Sequence, residues 1–169
     1  HAEERRVLEI ALRSALEKGE FEVFYQPVVS AEGGTVEGFE ALLRWNSPTL
    51  GSVSPAKFIP IAEEARLIGP IGEWVLRSAC EEAMNWPDTV RVAVNVSAEQ
   101  LTDPNFVTSV VSALAHSRLP ARRLELEVTE SIFVREQSGA LAVLDKLLAL
   151  GCRLALDDFG TGYSSLGYL

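Results

Sequence analysis

The sequence predicts an α/β fold, and within that class a (β/α)8 barrel of the TIM type whose first strand runs antiparallel. Three observations predict it. From Val36 onward, strand-like and helix-like segments alternate, the order that yields parallel strands joined by right-handed crossovers. Ahead of that series, Phe21 to Val29, the turn at Gly33-Gly34, and Val36 to Trp45 read as a β-hairpin. Finally, four strand-like segments finish on Glu40 and the residues just after it, Asn95, Glu127 and Asp157-Asp158, and barrels of this type gather their chemistry at the C-terminal ends of their strands.

The elements follow in order. Residues 1–19 form a leading amphipathic helix, with Val7 or Leu8, Ala11, Leu12, Ala15 and Leu16 on one face and Gly19 as a stop. His1 is a frayed end without a role. Residues 20–169 carry the barrel strands and helices. Ser54-Pro55 supplies an N-cap and a proline at the first helical position, and Asp103-Pro104 repeats the device before Asn105 to Ser117. Between them Ile71, Trp74, Val75, Ala79, Ala83 and Trp86 recur at helical spacing until Pro87 ends the run. Leu141, Leu144 and Leu148 mark one face of a helix from Ala140 to Leu150, which Gly151 stops. About five strands result, whereas a full barrel of this class takes about 250 residues. The 169 residues are therefore expected to be the N-terminal two thirds of a single barrel domain.

Composition narrows the function. Nearly half the residues (47%) are hydrophobic, enough for a substantial core. A formal net charge of -9 opposes binding to a nucleic acid polymer or to an anionic membrane surface. No apolar run approaches the ~20 residues that span a bilayer. The expectation is a cytoplasmic domain, alone or within a larger sensor protein. Cys80 and Cys152 lack metal-ligand spacing and read as buried thiols.

Glu40, Asn95, Glu127, Asp157 and Asp158 are thus candidates for one oxygen-rich pocket. Such a donor set favours a hard divalent cation, Mg²⁺ or Mn²⁺, over zinc. Plainer roles compete with this one. Asn95-Val96-Ser97 could cap the next short helix, Glu125 or Glu127 could be a solvated partner of Arg122 or Arg123, and Arg44 could pair with Glu22 or Glu37. His116 suits the C-terminal dipole of its helix, and Trp45, Trp74 and Trp86 suit packing.

The motifs add a resemblance. Glu40-Ala41-Leu42-Leu43-Arg44-Trp45 resembles the signature of the EAL-domain cyclic di-GMP phosphodiesterases. Phe24-Tyr25-Gln26-Pro27-Val28-Val29, Phe58-Ile59-Pro60-Ile61-Ala62-Glu63, Asn95-Val96-Ser97, Glu127-Val128-Thr129-Glu130 and the run from Asp157 to Leu166 are similar to that family's other motifs, in its order. The resemblance implies hydrolysis of cyclic di-GMP to the linear dinucleotide with two Mg²⁺ or Mn²⁺ ions. It implies that Glu40, Asn95, Glu127 and Asp157 ligate one ion, and that Asp157 and Asp158 serve the second. Neighbouring residues on a strand face opposite ways, so Asp158 is expected where strand has given way to loop. By the same resemblance Arg44 contacts phosphate, Leu42 and Gln26 (at the end of the first strand) line the substrate, and Pro60 lies in a loop on the guanine side. Glu130, Thr161, Gly162 and Ser164 would couple metal binding to a homodimer. The family's lysine, its general-base glutamate and its late glutamine match no residue here. A degenerate domain that binds cyclic di-GMP or a protein without hydrolysis is the alternative.

Overall fold

Alternation along the strands sorts this chain into one face that meets helices and one that does not. The computed structural model describes residues 2–130, 132 and 139–156. Strands β1 (Phe21–Val29), β2 (Val36–Ser47), β3 (Gly51–Val53), β4 (Arg91–Asn95), β5 (Leu124–Val128) and β6 (Arg153–Leu156) share one mixed sheet. Its order is β1-β2-β4-β5-β6, with β3 on the side of β2. The hairpin partner β1 is antiparallel to β2, and β2, β4, β5 and β6 are mutually parallel. This is the expected barrel topology. The expected count of strands missed β3, whose three residues are too few to show alternation.

Helices α1 (Ala2–Ala15), α2 (Pro55–Glu64), α3 (Ile68–Ala83), α4 (Ala98–Thr102), α5 (Phe106–Ser117) and α6 (Ala140–Leu150) accompany the sheet. Phe21, Ala41, Leu43, Trp45, Val92, Val94, Leu124 and Leu126 belong to the buried core that the helices complete. Phe21, Trp45 and Phe58 form its aromatic centre, with ring centroids 5.4 to 6.1 Å apart. The Trp45 indole donates to Glu20 at 3.0 Å, so its one polar atom is satisfied although the residue is buried.

Helix boundaries follow local chemistry. Ser54 caps α2 by accepting from the Ala56 N–H, and Pro55 opens that helix as expected. Asp103 does not repeat the device. It ends α4, its side chain accepts from the Asn105 N–H at 2.8 Å, and α5 starts only at Phe106. Trp86 lies beyond the end of α3, in the turns that lead to Pro87, and packs on Phe39 and Tyr25.

Arg123 departs furthest from expectation. Instead of meeting a strand carboxylate in solvent, it is buried and donates to the carbonyls of Ala83, Pro87 and Val90 at 2.8 to 3.0 Å. Glu125 pairs with Arg91 at 3.6 Å. Arg123 belongs to the short 3-10 turn Ala121–Arg123 before β5, outside the alternation that puts Glu125 on the open face, and it lies under the α3–β4 connection.

Gly38 sits where β2 and β4 begin to pair, opposite Arg91. A Cβ there would meet the Arg91 carbonyl oxygen at 2.6 Å, and backbone cannot swing aside as a flexible side chain can. Gly38→Ala is expected to lower stability by about 1–3 kcal/mol in urea denaturation. An unchanged midpoint would mean that the two strands separate at no cost.

Cys80 and Cys152 are buried thiols, as expected. Burial pushes Cys80 up from 9.0 to about 12 and Cys152 to about 11. Both groups are neutral in the native protein at ordinary pH, and unfolding lets them ionise at lower pH. Their contribution to stability is therefore full below pH ~9 and is lost as pH rises toward 11 and 12. At pH 8 a thiol reagent is expected to label neither residue in the native state and both in denaturant; rapid native labelling would contradict their burial.

Candidate active site

The face of the sheet turned away from the helices carries the predicted polar residues. Strand parity and register place Gln26, Glu40, Leu42 and Arg44 there on β1 and β2, Asn95 on β4, and Glu127 on β5. Neighbouring strands lie about 4.8 Å apart, close enough for side chains in register to touch. Asn95 stands opposite Glu127 in the parallel β4–β5 pairing, and its Nδ2 donates to Glu40 Oε2 at 3.0 Å. Three of the five predicted ligands thus come together. Asp157 and Asp158 lie outside the described residues, as do Thr161, Gly162 and Ser164.

Three positions need correction. Glu40 does not end its strand: β2 runs on to Ser47, because its later half still pairs with β1 and then with β3. Gln26 likewise lies inside β1, directly opposite Glu40, rather than at a strand end. Since β1 is antiparallel, its midpoint is the level at which it meets Glu40. Pro60 is also displaced from expectation. It lies within α2 on the exposed side, while Phe58, Ile59, Ile61 and Ala62 of that helix are buried. No loop forms there, because the Ser54 cap and the apolar face of α2 carry the helix through the proline.

The bond to Glu40 orients the Asn95 amide. Its NH₂ end is committed to the carboxylate, which leaves Oδ1 as the outward acceptor. Oδ1 is sealed from solvent and has no hydrogen-bond partner among the described residues. An orphaned buried amide oxygen beside two carboxylates, with no histidine or thiol near in sequence register, fits a hard divalent cation. Among the described residues no group of three His, Cys, Asp or Glu side chains gathers, so the amide is needed as the third donor.

Arg44 is neither paired with Glu22 nor with Glu37. Its guanidinium lies 5.5 Å from the centre of the Phe24 ring and donates to the Leu43 carbonyl at 3.1 Å. Phe24 is the β1 partner of Leu42, so the side chain leans back along β2 toward Glu40. Glu22 instead accepts from Asn46. The cation is thus positioned without a carboxylate ion pair among the described residues. Beneath this level, Arg91 and Glu125 form a separate ion pair nearer the starts of the strands. Glu130 is exposed just past β5.

The main chain after Asn95 is also constrained. Val96 N–H donates to the Glu127 carbonyl at 2.9 Å, and Ser97 caps α4 in a full capping box with Gln100. Asn95 facing the pocket and Ser97 capping the helix are both realised, two residues apart. Gln100 went unnoticed in the sequence, although Ser97-Ala98-Glu99-Gln100 is the spacing of a capping box.

The fold is shared with solved structures of known proteins. The chain belongs to the EAL domain family, whose model matches residues 9–169. It is similar to a structure described as the MucR phosphodiesterase in complex with c-di-GMP, with a TM-score of 0.85 and 45% identity over 95% of this chain and 67% of that one. A FimX EAL domain from Pseudomonas aeruginosa bound to c-di-GMP superposes with a TM-score of 0.81 at 29% identity, covering 96% of this chain and 67% of that one. Among sequences, the bifunctional diguanylate cyclase/cyclic di-GMP phosphodiesterase MucR of Pseudomonas aeruginosa is 44% identical across 100% of this chain. An uncharacterized protein, y4lL, of Sinorhizobium fredii is 50% identical across 98% of it. The chain spans 25% and 20% of the lengths of these two relatives. Among the described residues no helix is long and apolar enough to cross a membrane.

Proposed function

We propose that this chain supplies the cation-holding part of a phosphodiesterase site that hydrolyses cyclic di-GMP to the linear dinucleotide. The observation that carries it is the orientation of Asn95: its NH₂ held by Glu40 at 3.0 Å, its buried oxygen left over, and Glu127 beside it in register. Membership of the EAL family, and relatives whose structures contain c-di-GMP, point to the substrate.

Two divalent cations, Mg²⁺ or Mn²⁺, would supply charge that lowers the pKa of water and stabilises the attacking and leaving oxygens of an in-line displacement. Glu40, Asn95 and Glu127 hold the first with Asp157, and Asp157 with Asp158 serves the second. Glu40 has two functions, since it contributes charge and orients the Asn95 amide. Arg44 meets phosphodiester oxygens through its planar fork, available because no carboxylate among the described residues occupies it. Leu42 provides an apolar wall between Glu40 and Arg44, and Gln26 offers amide donors beside Glu40. Pro60, exposed on α2, is assigned to the guanine side of the site on resemblance alone. Glu130, with Thr161, Gly162 and Ser164, is assigned to coupling between the site and a homodimer partner on resemblance alone.

Calorimetric titration of the intact protein with Mn²⁺ and then cyclic di-GMP tests the reading. Saturable binding of the dinucleotide that depends on the metal is expected, and no binding of either would sink it. Arg44→Ala is expected to weaken dinucleotide affinity by about 10- to 100-fold, the worth of a charge-assisted hydrogen bond, while leaving Mn²⁺ affinity unaltered. Equal affinity in that variant would return Arg44 to a packing role over Phe24.

A further inference from the structure

Asn95 can present its oxygen to a cation only if the strand end that carries it does not twist, and the structure shows what holds that end. Directly after Asn95, the Val96 N–H is tied to the Glu127 carbonyl at 2.9 Å. One residue further, the Ser97 N–H donates to Gln100 Oε1 at 2.9 Å, and Gln100 N–H returns a bond to Ser97 Oγ at 3.2 Å. Both peptides that follow Asn95 are thereby anchored, one to β5 and one to a side chain from α4.

The Gln100 side chain is itself fixed from behind. It is 6% exposed, and it lies against Gly72 of α3 so closely that a Cβ there would overlap its Nε2 and stand 3.0 Å from its Cδ. Gly72 is helical and has no positive φ to explain the glycine, so the missing side chain is a notch for the amide. Asn95 and Gln100 also line one small cavity with Ala41, Leu43 and Val94. Helix capping alone is a weak reason for such a seat. Helix α4 has five residues and few internal hydrogen bonds to gain from a cap, whereas the β4–α4 junction bears a candidate ligand.

We propose that Gln100, seated in the Gly72 notch of α3, is a positioning residue that holds Asn95 on Glu40 and thereby sets the cation site. The proposal rests on the metal reading of Glu40, Asn95 and Glu127 given above. Gln100 touches neither cation nor substrate in this role. It acts through the Ser97 peptide.

Two measurements on the intact protein test it, and only the second involves metal. The first is hydrogen exchange of the Asn95 side-chain amide by NMR in metal-free protein, with the amide assigned by its loss in Asn95→Ala. Gln100→Ala is expected to speed this exchange at least tenfold while protection of core amides in β4 and β5 persists. Gln100→Glu, which keeps an acceptor for the Ser97 N–H, is expected to preserve it. Ser97→Ala removes the hydroxyl cap but not the Gln100 bond to the Ser97 N–H, and is expected to leave the Asn95 amide protected. A residue serving only as a helix cap would instead make Ser97→Ala and Gln100→Ala alike, and that result overturns the proposal. Should Gln100→Ala unfold the protein, Gly72→Ala decides: the notch predicts that it speeds exchange of the Asn95 amide while core amides in β4 and β5 stay protected. Unaltered exchange of the Asn95 amide in that variant overturns the proposal.

The second measurement is Mn²⁺ affinity by titration. The dissociation constant is expected to rise at least tenfold in Gln100→Ala and to stay near the parent value in Gln100→Glu. If the parent protein binds no Mn²⁺, the metal reading fails, and the exchange data still decide whether Gln100 positions Asn95. If Mn²⁺ binds and Gln100→Ala leaves its affinity unchanged, the positioning role for the cation is wrong while the metal reading stands.

Discussion

Glu40→Gln is expected to lower turnover of cyclic di-GMP by on the order of 10³-fold or more while the protein stays folded. The substitution keeps the shape of the side chain and an oxygen that can accept from Asn95 Nδ2, so the local geometry at 3.0 Å survives. What it removes is one negative charge from the donor set, and charge is what draws a divalent cation out of water. Glu40 is half-buried on the inner face of β2 and has no packing role comparable to Trp45 or Leu43. Thermal melting should therefore move little, and Mn²⁺ titration should show weaker binding. Turnover equal to that of the parent would remove Glu40 from the site.

The largest expected loss of stability lies elsewhere. Arg123→Ala is expected to cost about 3 kcal/mol or more, because it leaves the buried carbonyls of Ala83, Pro87 and Val90 without their donors. Those carbonyls come from the end of α3 and the connection into β4, where the helix dipole also favours a cation. Arg123→Lys should recover only part of the loss, since a single ammonium cannot reproduce the planar fork that reaches all three. Urea denaturation of the two variants measures this. A loss below about 1 kcal/mol for Arg123→Ala would mean that water replaces the guanidinium in the connection.

These two residues also mark what the sequence could and could not reveal. Glu40 was legible because alternation and the ordered motifs placed it, Asn95 and Glu127 on one side of parallel strands. Arg123 was not, since nothing in Ala121-Arg122-Arg123 indicates that three carbonyls from other segments converge there. The antiparallel hairpin, the parallel series and α6 were read correctly from turn residues and periodicity. Gln26 and Glu40 lie inside their strands because β1 and β2 pair on both sides of that level, and β3 adds only Asn46 and Ser47 to the strand expected from Val36 to Trp45. The resemblance implied a loop at Pro60, yet the Ser54 cap and the buried face of α2 outweigh one missing helical hydrogen bond. Gly72 carries no signal in the sequence, and only the packing of Gln100 on it gives it a purpose.

The central claim is that this arrangement of Glu40, Asn95 and Glu127 serves metal-dependent cleavage of a cyclic dinucleotide. It is tested most directly by incubating the intact protein with cyclic di-GMP and Mn²⁺ and following the linear dinucleotide by chromatography, with a chelator control and the Glu40→Gln variant alongside. The account predicts product with metal and none in either control. Tight binding of the dinucleotide without product, or product that persists in chelator, would contradict it.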